Sequence, residues 1–250
     1  MNTKLTRPAT ADGLFVWVLH RFAEVFEEHA IVKGGIALRL LDCPRATTDI
    51  DYVFVPFASK NDVVGRLRQV LGEVDGAEVD VRVHSKMIRA TLRVDGAAIQ
   101  IEANVDAACP SLPVPTAGFA RAQGQASRLV RVMAVERALA HKLAAWNERR
   151  LMRDLYDVYY LVVRLGAVPE VVVLRQRLLQ VESRLPALRR RRTMTLAELL
   201  AALQAAVAAL DEDMLRDELA PVLPADELAG LVPRLRGGVV KVVELLQPHA

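Results

Sequence analysis

Cysteine, aromatic residues and long hydrophobic runs are all scarce in this 250-residue chain. Its two cysteines, Cys43 and Cys109, supply neither a disulfide framework nor the spacing of a metal site. No apolar run approaches the roughly 20 residues of a membrane-spanning helix. The apolar segment Leu14–Leu19 is too short for a signal peptide, and acidic residues soon follow it. These absences predict a cytoplasmic protein without membrane contact.

Net charge is also small, because 33 Lys and Arg oppose 30 Asp and Glu, which leaves +3. With 52% apolar and 25% charged residues, the composition is that of a globular protein with a sizeable core. Arginines nevertheless concentrate in one stretch: Arg175, Arg177 and Arg184 precede a run from Arg189 to Arg192. Such a run is either a solvated helix end or loop, or a patch that contacts RNA phosphates.

Residues 33–51 contain a pattern that indicates a functional site: the glycine pair Gly34-Gly35, followed by Asp49-Ile50-Asp51. Side chains alternate along a strand, so Asp49 and Asp51 share one face. Two such close carboxylates repel unless a positive charge lies between them, and Mg²⁺ prefers one or two carboxylates plus substrate phosphates. A glycine pair that opens a helix offers backbone N–H groups to phosphate. Together these parts predict a nucleoside triphosphate held over Mg²⁺.

The fuller pattern is Lys33-Gly34-Gly35-x-Ala37-Leu38-Arg39, then Arg45-x-Thr47-x-Asp49-Ile50-Asp51. It resembles the AbiEii (MenT-like) nucleotidyltransferase toxins of type IV toxin–antitoxin and abortive-infection systems, within the DNA polymerase β-like superfamily. The resemblance implies that Asp49 and Asp51 are catalytic and bind metal. It also implies nucleotide contacts from Lys33, Gly34, Gly35, Arg39 and Thr47. Alternatively, Arg39 and Arg45 only pair with Asp42 and the Asp-x-Asp carboxylates.

Hydrophobic periodicity predicts a mixed sheet with flanking helices over residues 1–108. An amphipathic helix is expected from Ala11 to about Glu28, and Asp95-Gly96 is a strong hairpin signal between two strands. Polymerase β-like folds usually carry a third carboxylate on a later strand beside the Asp-x-Asp strand. Glu102 is the candidate for that third metal ligand, and a half-exposed surface glutamate is the alternative.

Three prolines within residues 110–115 predict a linker, because proline does not fit a helix interior or a central strand. Everything after it is predicted to be helical, including a helix from Met133 to Arg149 and one that opens with the capping box Thr195-x-x-Glu198. The predicted fold class is therefore α+β. A polymerase β-like nucleotidyltransferase core at 1–108 precedes an α-helical domain at 116–250 that completes the active site.

A second block, from His141 to Asp157, also resembles the AbiEii family. The resemblance implies that Lys142 is the catalytic lysine and Asp157 the late catalytic aspartate, while Arg150, Arg153 and Asp154 match the motif around them. A lysine can neutralise charge on a triphosphate as a point cation. The alternative is that Lys142 has no catalytic role and is a surface lysine whose aliphatic chain lies along its helix. Asp157 either positions Lys142 or acts as a base or positioning group for the incoming hydroxyl.

The family implies a Mg²⁺-dependent enzyme that transfers NMP from an NTP to an acceptor. The implied acceptor is tRNA, the implied result is growth arrest, and the implied partner is a cognate AbiEi-like antitoxin. Two alternatives remain open: the same fold acting on a small molecule or a protein side chain, and a binder of nucleotide or RNA that does not turn over.

Overall fold

The computed structural model describes residues 8, 10–183, 185–186, 188–189 and 192–250. The chain separates into two compact units, Met1–Ala134 and Val135–Ala250. Each has its own buried residues. No helix in the described residues is long and apolar enough to cross a membrane.

The first unit is built on one mixed sheet, which confirms the prediction of a mixed sheet with flanking helices. The sheet has seven strands in the described part of the chain, in the order β3-β4-β5-β2-β1-β7-β6. β2 runs parallel to β5 and β1 runs parallel to β7, and the other neighbours are antiparallel. The strands are β1 (Ala30–Lys33), β2 (Asp49–Phe54), β3 (Glu78–Val83), β4 (Ile88–Val94), β5 (Ala97–Val105), β6 (Ser111–Pro115) and β7 (Leu129–Met133).

Helix α1 (Ala11–Phe26) supplies much of the apolar cover of this sheet. It begins where the Thr10 hydroxyl accepts a hydrogen bond from the Gly13 N–H at 3.0 Å, a normal N-cap. The ring of Phe22 packs against Tyr52, with centroids 4.9 Å apart. Within its described residues, the unit also contains the α-helices α2 (Gly34–Leu40), α3 (Asn61–Leu71) and α4 (Ala117–Ala122).

The β4–β5 hairpin turns at Asp95-Gly96, as predicted. Both residues have positive φ, 46° and 84°, which is the conformation of a two-residue turn matched to the strand twist. The parallel pairing of β5 with β2 then places Glu102 beside Asp51. Topology thus brings together two acids that are far apart in the sequence.

The proline-rich segment is not the predicted linker. Ser111–Pro115 forms the edge strand β6, where Pro113 lies opposite Arg131 of β7. Proline is tolerated there because an edge strand has only one neighbour and needs fewer N–H donors. β7 was likewise missed, in a region predicted to be helical. The first unit therefore runs to Ala134, beyond the boundary at 108 that composition suggested. The roles assigned to the two predicted domains stay a prediction.

The second unit is helical throughout its described elements. α5 packs on α6 and α7, and α11 packs on α6, α8 and α9. A π-helical turn, Tyr160–Arg164, continues α6. Thr195 and Glu198 form the predicted capping box at the start of α8. The helices are α5 (Val135–Arg149), α6 (Met152–Tyr159), α7 (Val171–Leu178), α8 (Leu196–Ala208), α9 (Glu212–Leu219), α10 (Ala225–Leu228) and α11 (Leu231–Leu246).

Candidate active site

The glycine pair lies directly against the Asp-x-Asp strand. Gly34 has φ +72°, and a Cβ atom there would lie 2.1 Å from Oδ2 of Asp51. A Cβ atom on Gly35 would lie 2.8 Å from Oγ1 of Thr47 and 2.9 Å from Nη2 of Arg45. A larger residue at either position would therefore force the neighbouring side chains to move, and at Gly34 the backbone that opens α2 lies against a carboxylate.

Asp49 and Asp51 lie on one face of β2, and both are partly exposed. Lys33 pairs in register with Asp51 across the antiparallel β1–β2 ladder. Its Nζ atom lies 3.6 Å from Oδ1 of Asp51. The cation relieves part of the repulsion that two neighbouring acids create.

Glu102 continues the same row of the sheet, between Asp51 on β2 and Arg89 on β4. One of its oxygens, Oε1, accepts hydrogen bonds from Arg89 Nε at 3.1 Å, Arg89 Nη2 at 2.8 Å and Gln100 Nε2 at 2.9 Å. Across the described residues, no group of three or more His, Cys, Asp or Glu has the arrangement of a metal site. The role of Glu102 as a metal ligand stays a prediction.

The remaining nucleotide-binding candidates lie in different surroundings. Arg39 pairs with Asp12 of α1, with contacts of 3.0 and 3.3 Å, and lies 4.6 Å from the centroid of the Phe119 ring. Arg45 is buried beside Gly35, and its Nη1 donates to the Ala46 carbonyl at 3.0 Å. Thr47 also borders Gly35. The structure thus gathers Arg45 and Thr47 at the glycine pair, whereas Arg39 is held by α1.

In the second unit, Lys142 lies against two buried carboxylates. Its Nζ atom is 2.6 Å from Oδ2 of Asp157 and 3.6 Å from Oδ1 of Asp154. Asp154 also accepts a two-pronged contact from Arg149, at 3.0 Å from Nε and 2.6 Å from Nη2. A snorkelling surface lysine does not have such partners. Arg149 was missed in the sequence, although its spacing of seven residues from Lys142 places both on one helix face.

The turn between α5 and α6 is built on Arg150, which has φ +56°. Its guanidinium stacks on the Trp146 ring at 4.2 Å and donates from Nη2 to Oδ1 of Asn147 at 3.0 Å. Burial lowers the pKa of Arg150. Arg153 is exposed. These arginines therefore differ: Arg150 shapes the turn, while Arg149 binds the buried acid.

The arginine-rich stretch is only partly described. Arg177 is held by Glu148 of α5, with Nη2 at 2.9 and 3.0 Å from the two carboxylate oxygens. Arg175 donates to the carbonyl of His249 at 2.5 Å. Arg189 and Arg192 are exposed, and Arg184, Arg190 and Arg191 lie outside the described residues. An RNA-contacting patch here stays a prediction.

A family model decides the identity of the chain. The model for the nucleotidyl transferase AbiEii toxin of type IV toxin–antitoxin systems matches residues 17–234. The chain belongs to this family. The recognition made from the two sequence blocks is therefore confirmed, and the match extends well beyond them.

Solved structures of low sequence identity share the fold of this AbiEii-family protein. MenT4, the nucleotidyltransferase toxin Rv2826c from Mycobacterium tuberculosis H37Rv, is 20% identical, with a TM-score of 0.63 over 94% of this chain and 83% of that one. JHP933 from Helicobacter pylori is 14% identical, with a TM-score of 0.53 over 96% and 93%. A putative nucleotidyltransferase from H. pylori is 15% identical, with the same TM-score over 96% of each chain. No curated protein sequence matches the chain.

Family membership makes the protein a nucleotidyltransferase toxin, and thus an enzyme with an NTP substrate and an antitoxin partner. The structural matches confirm the α+β nucleotidyltransferase fold. Nucleotidyltransferases of this kind typically use a divalent metal. The donor atoms beside Gly34 suit such an ion: two partly exposed carboxylates on one strand face, with a carboxylate oxygen held close to glycine backbone.

Proposed function

We propose that this AbiEii-family toxin transfers an NMP from an NTP to tRNA and thereby arrests growth, with Mg²⁺ held by Asp49 and Asp51. The observation that carries the proposal is the approach of Gly34 to Asp51, at a distance that leaves no space for a Cβ atom. This approach puts glycine backbone N–H groups, a lysine and a carboxylate pair at one place in the first unit. Triphosphate and a hard divalent cation are the ligands that this combination suits.

The metal assignment rests on oxygen donors. Mg²⁺ binds through one or two protein carboxylates and completes its shell with water and substrate phosphates. Asp49 and Asp51 meet that requirement without a third acid, and Glu102 is the further candidate. Mg²⁺ bound there would supply a Lewis acid that offsets charge on the phosphate oxygens.

The reaction is a substitution at the α-phosphorus. A hydroxyl oxygen of the acceptor forms a bond to that phosphorus, the bond from phosphorus to the oxygen that bridges to the β-phosphate breaks, pyrophosphate leaves with that oxygen, and the proton of the hydroxyl passes to solvent water. Charge moves from the α-phosphate onto pyrophosphate, so positioning and charge stabilisation dominate catalysis. In the first unit, Lys33 and the N–H groups of Gly34 and Gly35 offset that charge, and Thr47 and Arg45 fix the glycine pair.

We further assign Lys142 and Asp157 to the same reaction. The support is chemical: a lysine on paired buried carboxylates is a fixed cation, and developing negative charge on pyrophosphate requires one. Arg39 is proposed to contribute at most indirectly, through its pair with Asp12 on α1.

The choice of tRNA over other acceptors rests on the family resemblance. Exposed arginines at 175, 189 and 192 are compatible with an RNA phosphate backbone. The same resemblance implies that a cognate AbiEi-like antitoxin is the partner of this toxin.

The acceptor is tested with purified protein, Mg²⁺ and each α-³²P-labelled NTP in turn. The mixtures contain total tRNA, tRNA treated with periodate to remove its terminal diol, or no RNA. We expect label on intact tRNA, with one NTP favoured over the others. Label that appears instead on protein, or on a small molecule in a nucleic-acid-free cell extract, would keep nucleotidyl transfer and reject tRNA.

A further inference from the structure

Prolines face outward at one edge of the sheet in the first unit. β6 is the last strand on that side in the described part of the chain. The Thr116 N–H donates to the Arg128 carbonyl at 2.9 Å, toward β7. Because the N–H groups of successive residues in a strand point to opposite sides, Pro113 and Pro115 face away from β7. Proline has no N–H, so this edge cannot donate to a further strand.

The opposite edge, β3, offers main-chain groups to a further strand. Its one neighbour among the described strands is β4. The His84 N–H donates to the Met87 carbonyl at 2.7 Å, toward β4. By the same alternation, the outward N–H and C=O groups of β3 are those of Val79, Val81 and Val83. β3 contains neither proline nor lysine, the residues that commonly protect an edge.

We propose that β3 pairs antiparallel with β3 of a second copy of this chain, in the register that places Val81 opposite Val81 of that copy. The pairing joins the two sheets into one about a twofold axis at Val81. It concerns assembly and goes beyond the nucleotide chemistry. β4 and β5 lie between β3 and the acids of β2, so each copy keeps its own candidate site and its own transfer rate.

The valine face of β3 suits this register. Residues directly opposite each other in an antiparallel pair share a face, so Val79 lies opposite Val83 of the second copy. Val83 is 46% exposed, and the opposing valine covers it. Each valine pair has its N–H and C=O groups on the outward side, where the pair exchanges two N–H···O bonds.

The charged face of β3 is self-complementary in the same register. Asp80 lies opposite Arg82 of the second copy, and Glu78 lies opposite His84. Within one copy, Arg82 Nη2 contacts Oδ2 of Asp80 at 2.9 Å, and both side chains are exposed. Opposite residues on paired strands are about 5 Å apart at Cβ, closer than the roughly 7 Å between residues i and i+2 of one strand. The acid and the arginine can therefore pair across the axis.

Charge selects this register from those that the hydrogen bonds allow. A pairing centred on Asp80 or on Arg82 also aligns the valine N–H groups. It brings Asp80 against Asp80, or Arg82 against Arg82, of the second copy, and like charges directly opposite are destabilising. A slip of one residue sets valines against charged residues and misaligns the outward donors and acceptors.

The first test is sedimentation velocity of the full-length protein over a range of concentrations. Concentrations up to about 200 µM cover a dissociation constant on the order of 10 µM, which we expect because one strand pair is smaller than a standard interface. The mean mass should rise from 27.6 kDa toward twice that value. Val81→Pro removes an outward N–H at an edge position, where proline is tolerated, and should weaken association at least about tenfold.

The second test exchanges the charges. Arg82→Asp and Asp80→Arg should each weaken self-association at least about tenfold, because each sets like charges opposite one another. An equimolar mixture of the two variants should recover association, since every acid then faces an arginine. The matched control is Arg121→Asp, the same charge change at an exposed site of α4, which should associate as the wild type does.

The mixture separates the pairing from a folding defect. Association in the mixture, with neither variant associating alone, supports the pairing and its register. Three results overturn the proposal: a wild type that stays monomeric up to about 200 µM, a wild-type dimer that Arg82→Asp and Val81→Pro leave unchanged, or a mixture of folded variants that fails to associate. A monomeric wild type would leave the β3 edge to a different protein.

Discussion

Gly34 and Asp51 are packed so closely that any side chain at position 34 would overlap the carboxylate, with Cβ placed 2.1 Å from Oδ2. The positive φ of Gly34, +72°, is a conformation that residues with a side chain rarely adopt, and it independently favours glycine. Two separate requirements thus select glycine at this point. Lys33, one residue earlier, pairs with the same acid.

We expect Gly34→Ala to abolish most nucleotidyl transfer, because Asp51 must move to admit the methyl group. A 1 Å shift of a reacting group can cost about 100-fold in rate. The strained backbone should also lower the free energy of unfolding by about 1–3 kcal/mol. Transfer rate and thermal unfolding measure the two effects.

Gly65→Ala is the matched control, since an added Cβ at this exposed position of α3 meets nothing within 4 Å. It should retain full activity and gain about 0.5–1 kcal/mol of stability from helix propensity. Equal effects of the two substitutions would contradict the steric account of Gly34.

Glu102 is expected to matter less for metal binding than Asp51, because Arg89 and Gln100 already occupy one of its oxygens. Binding of Mn²⁺ as a spectroscopic substitute for Mg²⁺ can be followed by electron paramagnetic resonance. Glu102→Gln should change the affinity by less than about threefold, and Asp51→Asn should lower it by about tenfold or more. Comparable losses for both would make Glu102 a third ligand.

His20 makes the stability of the first unit depend on pH. The residue is fully buried, and its Nε2 lies 2.8 Å from Oγ1 of Thr116. Burial and the charge of Arg128 lower the pKa of His20 from 6.5 to about 4. The folded state therefore favours the neutral ring, and its contribution is complete above pH 6.5 and is lost as the pH falls toward 4.

The loss corresponds to about 2–3 kcal/mol between pH 7 and pH 4.5. Urea unfolding at the two pH values measures it. His20→Gln, which does not titrate, should be less stable at pH 7 but should lose about 2–3 kcal/mol less than the wild type on acidification. An identical loss in both proteins would assign the acid sensitivity to other groups.

Short sequence motifs correctly predicted the turns and caps that are formed by residues close together in the sequence. Asp95-Gly96 turned a hairpin because both residues tolerate positive φ, and Thr195-x-x-Glu198 capped a helix. Pro113 led to the wrong prediction of a linker. Proline is excluded from central strands but accepted in edge strands. Whether β6 is an edge strand depends on the topology of the sheet, which the sequence does not show.

The candidate site likewise combines features that the sequence predicts with features that only the fold reveals. Asp49 and Asp51 share a face by strand periodicity alone, which the sequence predicts. The contact between Gly34 and Asp51, and the row from Lys33 through Asp51 and Glu102 to Arg89, require the register of four strands. Arg149 was missed because its partner Asp154 lies on the next helix, across the turn at Arg150, which has positive φ.

Nucleotidyl transfer by this protein is expected to require a divalent metal and the acids of β2. The most direct measurement is the transfer of α-labelled NMP to tRNA by wild type, by Asp49→Ala/Asp51→Ala and by Glu78→Ala/Asp80→Ala, each with Mg²⁺ or with a chelator. The last variant removes two acids with the same spacing from β3 of the same sheet. We predict transfer by the wild type and by the β3 variant only with Mg²⁺, and none by the β2 variant. Undiminished transfer by the β2 variant, or by the wild type in chelator, would contradict the account.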